Sequence, residues 1–215
     1  MATTPNTCPV LENGDRLTRE EFNRRYQLRS DIRKAELVLG VVFVASPTRL
    51  AAHADPHSLV ALWLRAYEAT TPDVRVGIEG TVHLDDDGEV QPDAFMFWLP
   101  PHASKARQTA DDHVEGAPDL VVEIAASSAS YDLHDKKEAY RRAGVKKYIP
   151  WRVLDGAIDW FRLQDGEYLR VEPDTIGMIE SAVFPGLRLD VVAMLAGDTT
   201  GILAALGFRR DTEQR

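Results

Sequence analysis

The sequence predicts an α+β fold, a mixed β-sheet core flanked by helices and extended by extra β-hairpins. Three observations predict it. Residues 120–126 form an apolar run broken only by Glu123, the pattern of a buried central strand. An amphipathic stretch, residues 132–143, follows at once and stops at Gly144, a left-handed helix cap. The acidic–glycine pairs Asp87-Gly88, Asp155-Gly156 and Asp165-Gly166 then punctuate several short β-rich runs as hairpin turns.

The elements follow in order. Residues 1–15 are polar and without pattern and read as a flexible leader; residues 16–215 read as a single domain closed by a helical segment. Thr18 with Glu21 three residues on is a capping box, opening a helix over 19–28 with Phe22 and Tyr26 one turn apart. Residues 36–45 are rich in β-branched side chains and read as two strands turning near Gly40. Asp55 is a helix cap with Pro56 at the first helical position, and Val60, Leu64 and Tyr67 then share one face. Residues 74–84 and 90–98 read as two long strands joined at Asp85–Gly88, and 100–116 as a loop. Three strands, 148–154, 157–163 and 168–171, follow the central helix. Pro150 removes a ladder donor and predicts an edge or a bulge there. Apolar residues near Trp151 and Trp160 are expected at a dimer surface. Phe184–Leu187 is a turn, and two short helices close the chain.

Composition narrows the function. The 215-residue chain has one cysteine, Cys8, which excludes an internal disulfide framework and a cysteine zinc site and fits a reducing cytoplasm. No apolar run approaches the roughly 20 residues that span a bilayer, and residues 1–10 lack a signal pattern, so a cytoplasmic protein is expected. The net charge is −9, yet the stretch from Lys136 to Arg152 holds seven basic residues against one acidic, Glu138. Such a patch on an acidic body suits a polyanion reached at one place, and Lys137, Arg141, Lys146 and Lys147 are its candidate phosphate contacts. A solvated helix face gives the same pattern.

Three residues stand out as chemistry. Glu123 is a carboxylate in a strand of buried type, costly unless it is paired, protonated or bound to a metal. Asp93 follows Pro92 and opens the apolar run Ala94–Trp98. Lys136 shares a helix face with Asp132 and Tyr140. Each alone also reads as structural. Together they make a pattern for a divalent cation: Asp93 and Glu123 supply hard oxygens for Mg²⁺ or Mn²⁺, and the Ile124 backbone carbonyl adds a third. The ion would polarise a phosphodiester, and the lysine would orient a water and stabilise the growing charge.

These residues also carry a family likeness. The stretch from Pro118 through Glu123 and Lys136 to Tyr148, with Leu17–Phe22, Glu36–Gly40, His57 before an apolar helix, Gln91–Asp93 and Phe184–Leu187, resembles the Uma-two family of the PD-(D/E)XK nuclease superfamily over residues 16–195. The resemblance implies a restriction-endonuclease-like core, Mg²⁺-dependent hydrolysis of DNA, and a homodimer. It places the family's aspartate at Asp93, its glutamate at Glu123 and its early acidic residue at Glu36. The superfamily's lysine, two residues after the glutamate, would fall on Ala125; the matching residue is Lys136, moved to the following helix. The sequence departs from the family at Ala126–Ala129 and at Tyr148–Arg152, where Pro150 intrudes. An inactive nuclease-fold module that binds nucleic acid or protein, and a plain dimeric scaffold, therefore stay open as alternatives.

Other motifs are set aside. His53 and His57 are four apart, but no glutamate follows the first and Pro56 lies between, which excludes a zinc-protease helix. The acidic run Asp85–Gly88 lacks calcium-loop spacing. Neither a G-x-S-x-G elbow nor a phosphate-binding loop occurs. Trp63, Trp98, Trp151 and Trp160 read as core.

Overall fold

The computed structural model describes residues 10–45, 50–126 and 129–208; most of the expected leader, and Ser127 and Ser128, lie outside the described residues. Within residues 10–15, Leu11 is buried against Phe22 and Leu37, and the Gly14 N–H donates to the Val42 carbonyl.

Helix α1 (Arg19–Tyr26) opens on Thr18, whose hydroxyl accepts from the Glu21 N–H as the capping box predicts. Strands β1 (Ala35–Val38) and β2 (Val41–Val44) pair antiparallel through Leu39-Gly40, whose φ angles of 52° and 74° are those of the mirror-image turn that twisted hairpins favour. A π-helical turn, Leu50–Ala54, runs into α2 (Asp55–Thr70). Asp55 is therefore not a cap: Ala54 before it is already helical, and no side chain caps this end.

The two long strands expected next are each cut in two. The first becomes β3 (Val74–Ile78) and β4 (Val82–Asp85), broken at Glu79, which has a φ of 54°. The second becomes β5 (Gly88–Val90) and β6 (Ala94–Trp98), broken at Pro92, which has no N–H to give a ladder. The expected loop that follows carries β7 (Arg107–Gln108) and β8 (Val114–Glu115).

Next come β9 (Leu120–Ala125), α3 (Ala129–Tyr131), a π-helical turn Asp132–Lys136 and α4 (Lys137–Ala143), which ends on Gly144 with φ 92°. Strand β10 (Lys147–Arg152) returns parallel to β9, so this is a β-α-β crossover. The remaining elements are β11 (Ala157–Ile158), β12 (Phe161–Gln164), β13 (Glu167–Arg170), β14 (Met178–Glu180), β15 (Arg188–Asp190), α5 (Val191–Ala196) and α6 (Thr199–Ala205).

One sheet runs β2-β1-β5-β4-β8-β7, a second runs β13-β12-β10-β9-β6-β3 with β11 beside β10, and β14-β15 form a small third. The broken strands join the first two sheets: β4 and β5 lie in one, β3 and β6 in the other. The period of two along β6 and β9 sorts the core. Ala94, Met96, Leu120, Val122 and Ile124 face α2, packing with Val60, Trp63 and Leu64. Phe95, Phe97 and Val121 face the opposite way, toward Tyr140 and toward Val82 and Val90 of the first sheet. Glu123 shares the parity of Val121 and turns toward that second layer.

Trp151 and Trp160 are buried under α2, as the core reading expects, with the Trp63 and Trp160 rings 6.1 Å apart. Strand β10, with Pro150 in it, is interior rather than an edge.

Candidate functional site

The chain crosses from one sheet to the other at Gln91-Pro92-Asp93. Leaving the ladder there puts Asp93 at the joint, where it is 3% exposed. Its Oδ2 accepts from the Ile124 N–H at 2.7 Å, which ties the joint to β9. Its main-chain oxygen receives His57 Nε2 at 2.8 Å and the Glu79 N–H at 3.2 Å. The other carboxylate oxygen, Oδ1, is buried without a hydrogen-bond donor. His53 Nε2 stands 3.3 Å from it and Lys34 Nζ 3.7 Å, near enough to attract but without hydrogen-bond geometry. Burial pushes the Asp93 carboxyl up, but His53, Lys34, Lys136 and the Ile124 N–H outweigh it and hold the group well below the usual range. Asp93 is therefore an anion.

On β9, Glu123 is 2% exposed. Its Oε1 accepts from Lys136 Nζ at 2.9 Å and from the Tyr140 hydroxyl at 2.6 Å. Lys136 Nζ also lies 2.9 Å from Glu36 Oε2. Glu36, on β1, is anchored in turn by the Gln91 N–H, which donates to its Oε1 at 2.7 Å. Burial pushes Glu123 up to about 8; Lys136 opposes this, while Asp93, Asp132 and Glu36 add to it. Burial works against the Lys136 charge, but Glu123, Glu36 and Asp132 overcome it and raise its pKa well above the ordinary lysine value. Lys136 is thus a fixed ammonium, a donor and not a base. Burial and the Glu123 charge keep the Tyr140 phenol protonated, so it donates.

The structure brings Glu36, Asp93, Glu123, Lys136 and the Ile124 backbone to one place, from β1, the β5–β6 joint, β9 and the π-helical turn. The Ile124 carbonyl accepts from the Ala126 N–H at 3.1 Å and keeps a second lone pair. The basic stretch does not gather in the same way. Lys147 is 1% exposed, and its burial puts it out of reach of a phosphate. Lys146 is paired to buried Asp119 at 2.7 Å. Arg141 chelates Glu138 at 2.7 and 2.9 Å, and Lys137 lies over the Phe161 ring, 3.6 Å from its centre.

Three neighbours of Asp93 escape a sequence reading: Lys34, His53 and Glu79. Ligand atoms of His57, Glu79 and Asp93 lie within 4.8 Å of one another. The spacing of His53 and His57 was the available signal, but it points to a shared helix face, and only the fold supplies Asp93 opposite them. Tyr140 was visible as a face-mate of Lys136, though its bond to Glu123 was not.

A mixed sheet whose central strand carries a buried carboxylate, with a second carboxylate on the adjoining joint and a lysine between acidic groups, defines an α+β protein with a buried acidic centre. The chain belongs to the Uma2 family, described as "Putative restriction endonuclease", whose family model matches residues 19–192. The fold is similar to the crystal structure of a protein from Anabaena variabilis described as "a putative nuclease belonging to DUF820". The TM-score is 0.61 at 16% identity, over 84% of this chain and 98% of that one. No curated protein matches the sequence. Among the described residues no helix is long and apolar enough to cross a membrane.

Proposed function

We propose that this chain is a Mg²⁺-dependent endonuclease, with Mn²⁺ also serving, that hydrolyses DNA phosphodiester bonds. The observation that carries the reading is the meeting of Asp93 and Glu123, on neighbouring segments of one sheet, with Lys136 2.9 Å from Glu123. The residues fit a hard divalent ion: Asp93 Oδ1 is a buried acceptor without a donor, and the groups around it offer carboxylate and carbonyl oxygen. Asp93, Glu123 and the Ile124 carbonyl would hold the ion, which when bound supplies Lewis-acid polarisation of the phosphodiester and a more acidic water. Lys136, fixed as an ammonium, orients the attacking water and stabilises charge gathering on the phosphate oxygens. Glu36 balances that ammonium and aims it. Lys137, Arg141 and Lys146 would contact phosphate only by exchanging their present partners, the Phe161 ring, Glu138 and Asp119, and Lys147 is buried.

The test is cleavage of supercoiled plasmid, single-stranded DNA and branched duplex with Mg²⁺ or Mn²⁺, run beside Asp93→Ala and Lys136→Ala. Metal-dependent cleavage lost in both variants is the expected result. One observation favours a second reading, a nuclease-fold module that binds without cutting: Lys136 already neutralises part of the charge on both Glu36 and Glu123. DNA binding unchanged in both variants, with no cleavage by the parent protein, would establish that reading instead.

A further inference from the structure

We propose that His57, Glu79 and Asp93, with His53 at the rim, form a second cation position that takes a transition-metal ion in preference to Mg²⁺. It shares Asp93 with the proposed nuclease site but does not depend on cleavage.

Three donor groups have ligand atoms within 4.8 Å of one another, and a small inward turn of the exposed Glu79 side chain would bring them within the reach of one ion with bonds of about 2.0–2.2 Å. The donors come from three separate places: the first turn of α2, the break between β3 and β4, and the β5–β6 joint. They are held together before any ion arrives, because the Asp93 carbonyl receives both His57 Nε2 and the Glu79 N–H. A hydrogen bond of this kind fixes an imidazole in the way that outer-shell carbonyls orient metal-ligating histidines. With Nε2 donating to that carbonyl the lone pair lies on Nδ1, so ligation through Nε2 requires the ion to displace this hydrogen bond.

A second observation points to a ligand. Asp93 is almost wholly buried, and its Oδ1 has no hydrogen-bond donor, which is a costly state for an ionised oxygen. A cation there would bond directly to an oxygen that His53 and Lys34 now only attract from 3.3 and 3.7 Å. His53 Nε2, 3.3 Å from that oxygen, stands where it can become a fourth ligand, and its ring centre is 5.7 Å from that of His57. Lys34 Nζ at 3.7 Å is the like-charged competitor, and its side chain is partly exposed, with room to turn outward.

The donor chemistry sets the selectivity. Imidazole nitrogen suits Mn²⁺, Co²⁺ and Zn²⁺, whereas Mg²⁺ prefers an all-oxygen shell and keeps its waters. Asp93 would then stand between two unlike positions, an oxygen-lined one shared with Glu123 and a mixed one shared with His57.

Calorimetric titration with Co²⁺ and with Mg²⁺, and the visible absorption of bound Co²⁺, test this on the parent protein and on His57→Gln, Glu79→Gln and Glu123→Gln. Glu79 is exposed, so its variant tests ligation without disturbing the core. The expected result is a loss of Co²⁺ affinity of tenfold or more in His57→Gln and in Glu79→Gln, with Mg²⁺ affinity within twofold of the parent. Glu123→Gln should weaken Mg²⁺ binding and keep the histidine-dependent Co²⁺ spectrum. Co²⁺ affinity and spectrum equal to the parent in both His57→Gln and Glu79→Gln would overturn the proposal. A parent protein without cleavage that still binds Co²⁺ through His57 would defeat the nuclease reading and leave this one standing.

Discussion

Pro150 stands directly opposite Glu123 in the parallel ladder of β9 and β10. A proline inside a sheet is tolerated only where its missing N–H is not needed. The Pro150 carbonyl accepts from the Asp159 N–H at 3.1 Å, so this residue's hydrogen-bonding edge faces away from β9, toward the β11–β12 side. There β11 has ended at Ile158 and β12 has yet to begin at Phe161. The proline therefore sits at a break in its antiparallel partner, and the parallel pairing that holds Glu123 in place continues past it in register. The departure from the family pattern at Pro150 leaves the acidic centre intact.

Asp93 has two separable duties, and Asp93→Asn divides them. The asparagine oxygen can still accept from the Ile124 N–H, so the joint between the sheets should hold, and the melting temperature should stay within a few degrees of the parent. The charge is gone, and cleavage should fall by roughly 10²–10³-fold, the scale seen when one electrostatic contact to the reacting centre is removed. Plasmid nicking and thermal unfolding on the same preparations check this. Unfolding of Asp93→Asn would make the residue structural.

Lys136 is the shared counter-ion of two buried carboxylates. Removing one partner of a buried ion pair costs about 3–5 kcal/mol, since the remaining charge is left uncompensated. Lys136→Met should therefore be destabilised toward that scale in urea unfolding above about pH 8, where Glu123 is ionised, and by less at neutral pH, where Glu36 carries the stranded charge. Adding Glu36→Gln should recover part of the loss by removing one of the stranded charges. A loss under about 1 kcal/mol in the single variant, the range of exposed pairs, would mean that the ammonium does not sit between the two glutamates.

Tyr140→Phe deletes a buried donor to Glu123 and nothing else. The carboxylate keeps Lys136, so the expected cost is about 1–2 kcal/mol, less than for the lysine. The comparison is Tyr148→Phe, which leaves the Asp132 carbonyl without its 2.7 Å donor and should cost about 1 kcal/mol. Denaturant titration of both variants checks the order. Equal, negligible losses would show that neither hydroxyl is committed in solution.

How much of this was legible in the sequence depended on the range of the interaction. Turns were readable because their chemistry is local: Asp165-Gly166, with φ 52° and 82°, and Gly144 each decide their own backbone. The cuts at Glu79 and Pro92 were not, because apolar alternation runs on across both and only pairing with two different sheets reveals them. Asp93, Glu123 and Lys136 could be singled out because two carboxylates beside apolar runs and a lysine one helix on make a pattern together that none makes alone. The partners of Asp93 could not, since Lys34 and His53 meet it only through the fold. Trp151 and Trp160 could be read as core, but not which element covers them: an apolar strand looks alike whether α2 covers it or a second subunit does.

Lys147 separates a structural lysine from a phosphate contact through pH. Burial, helped by the Arg162 charge, pushes its ammonium down to about 8, against 10.5 for the free side chain. Below pH 8 the folded and unfolded chains both hold the proton, and the buried charge is a constant cost. Between about 8 and 10.5 the unfolded chain holds more protons than the folded one, so stability rises with pH through that window. The shift corresponds to roughly 3 kcal/mol at most. Lys147→Met should remove that cost, giving a protein more stable than the parent at pH 7 whose stability no longer carries this rise above pH 8. Its affinity for DNA should match the parent's, since a buried side chain makes no phosphate contact. Urea unfolding at pH 7, 8.5 and 10, with DNA binding at fixed salt, measures both. A variant that is less stable at pH 7 and binds DNA more weakly would return Lys147 to the surface.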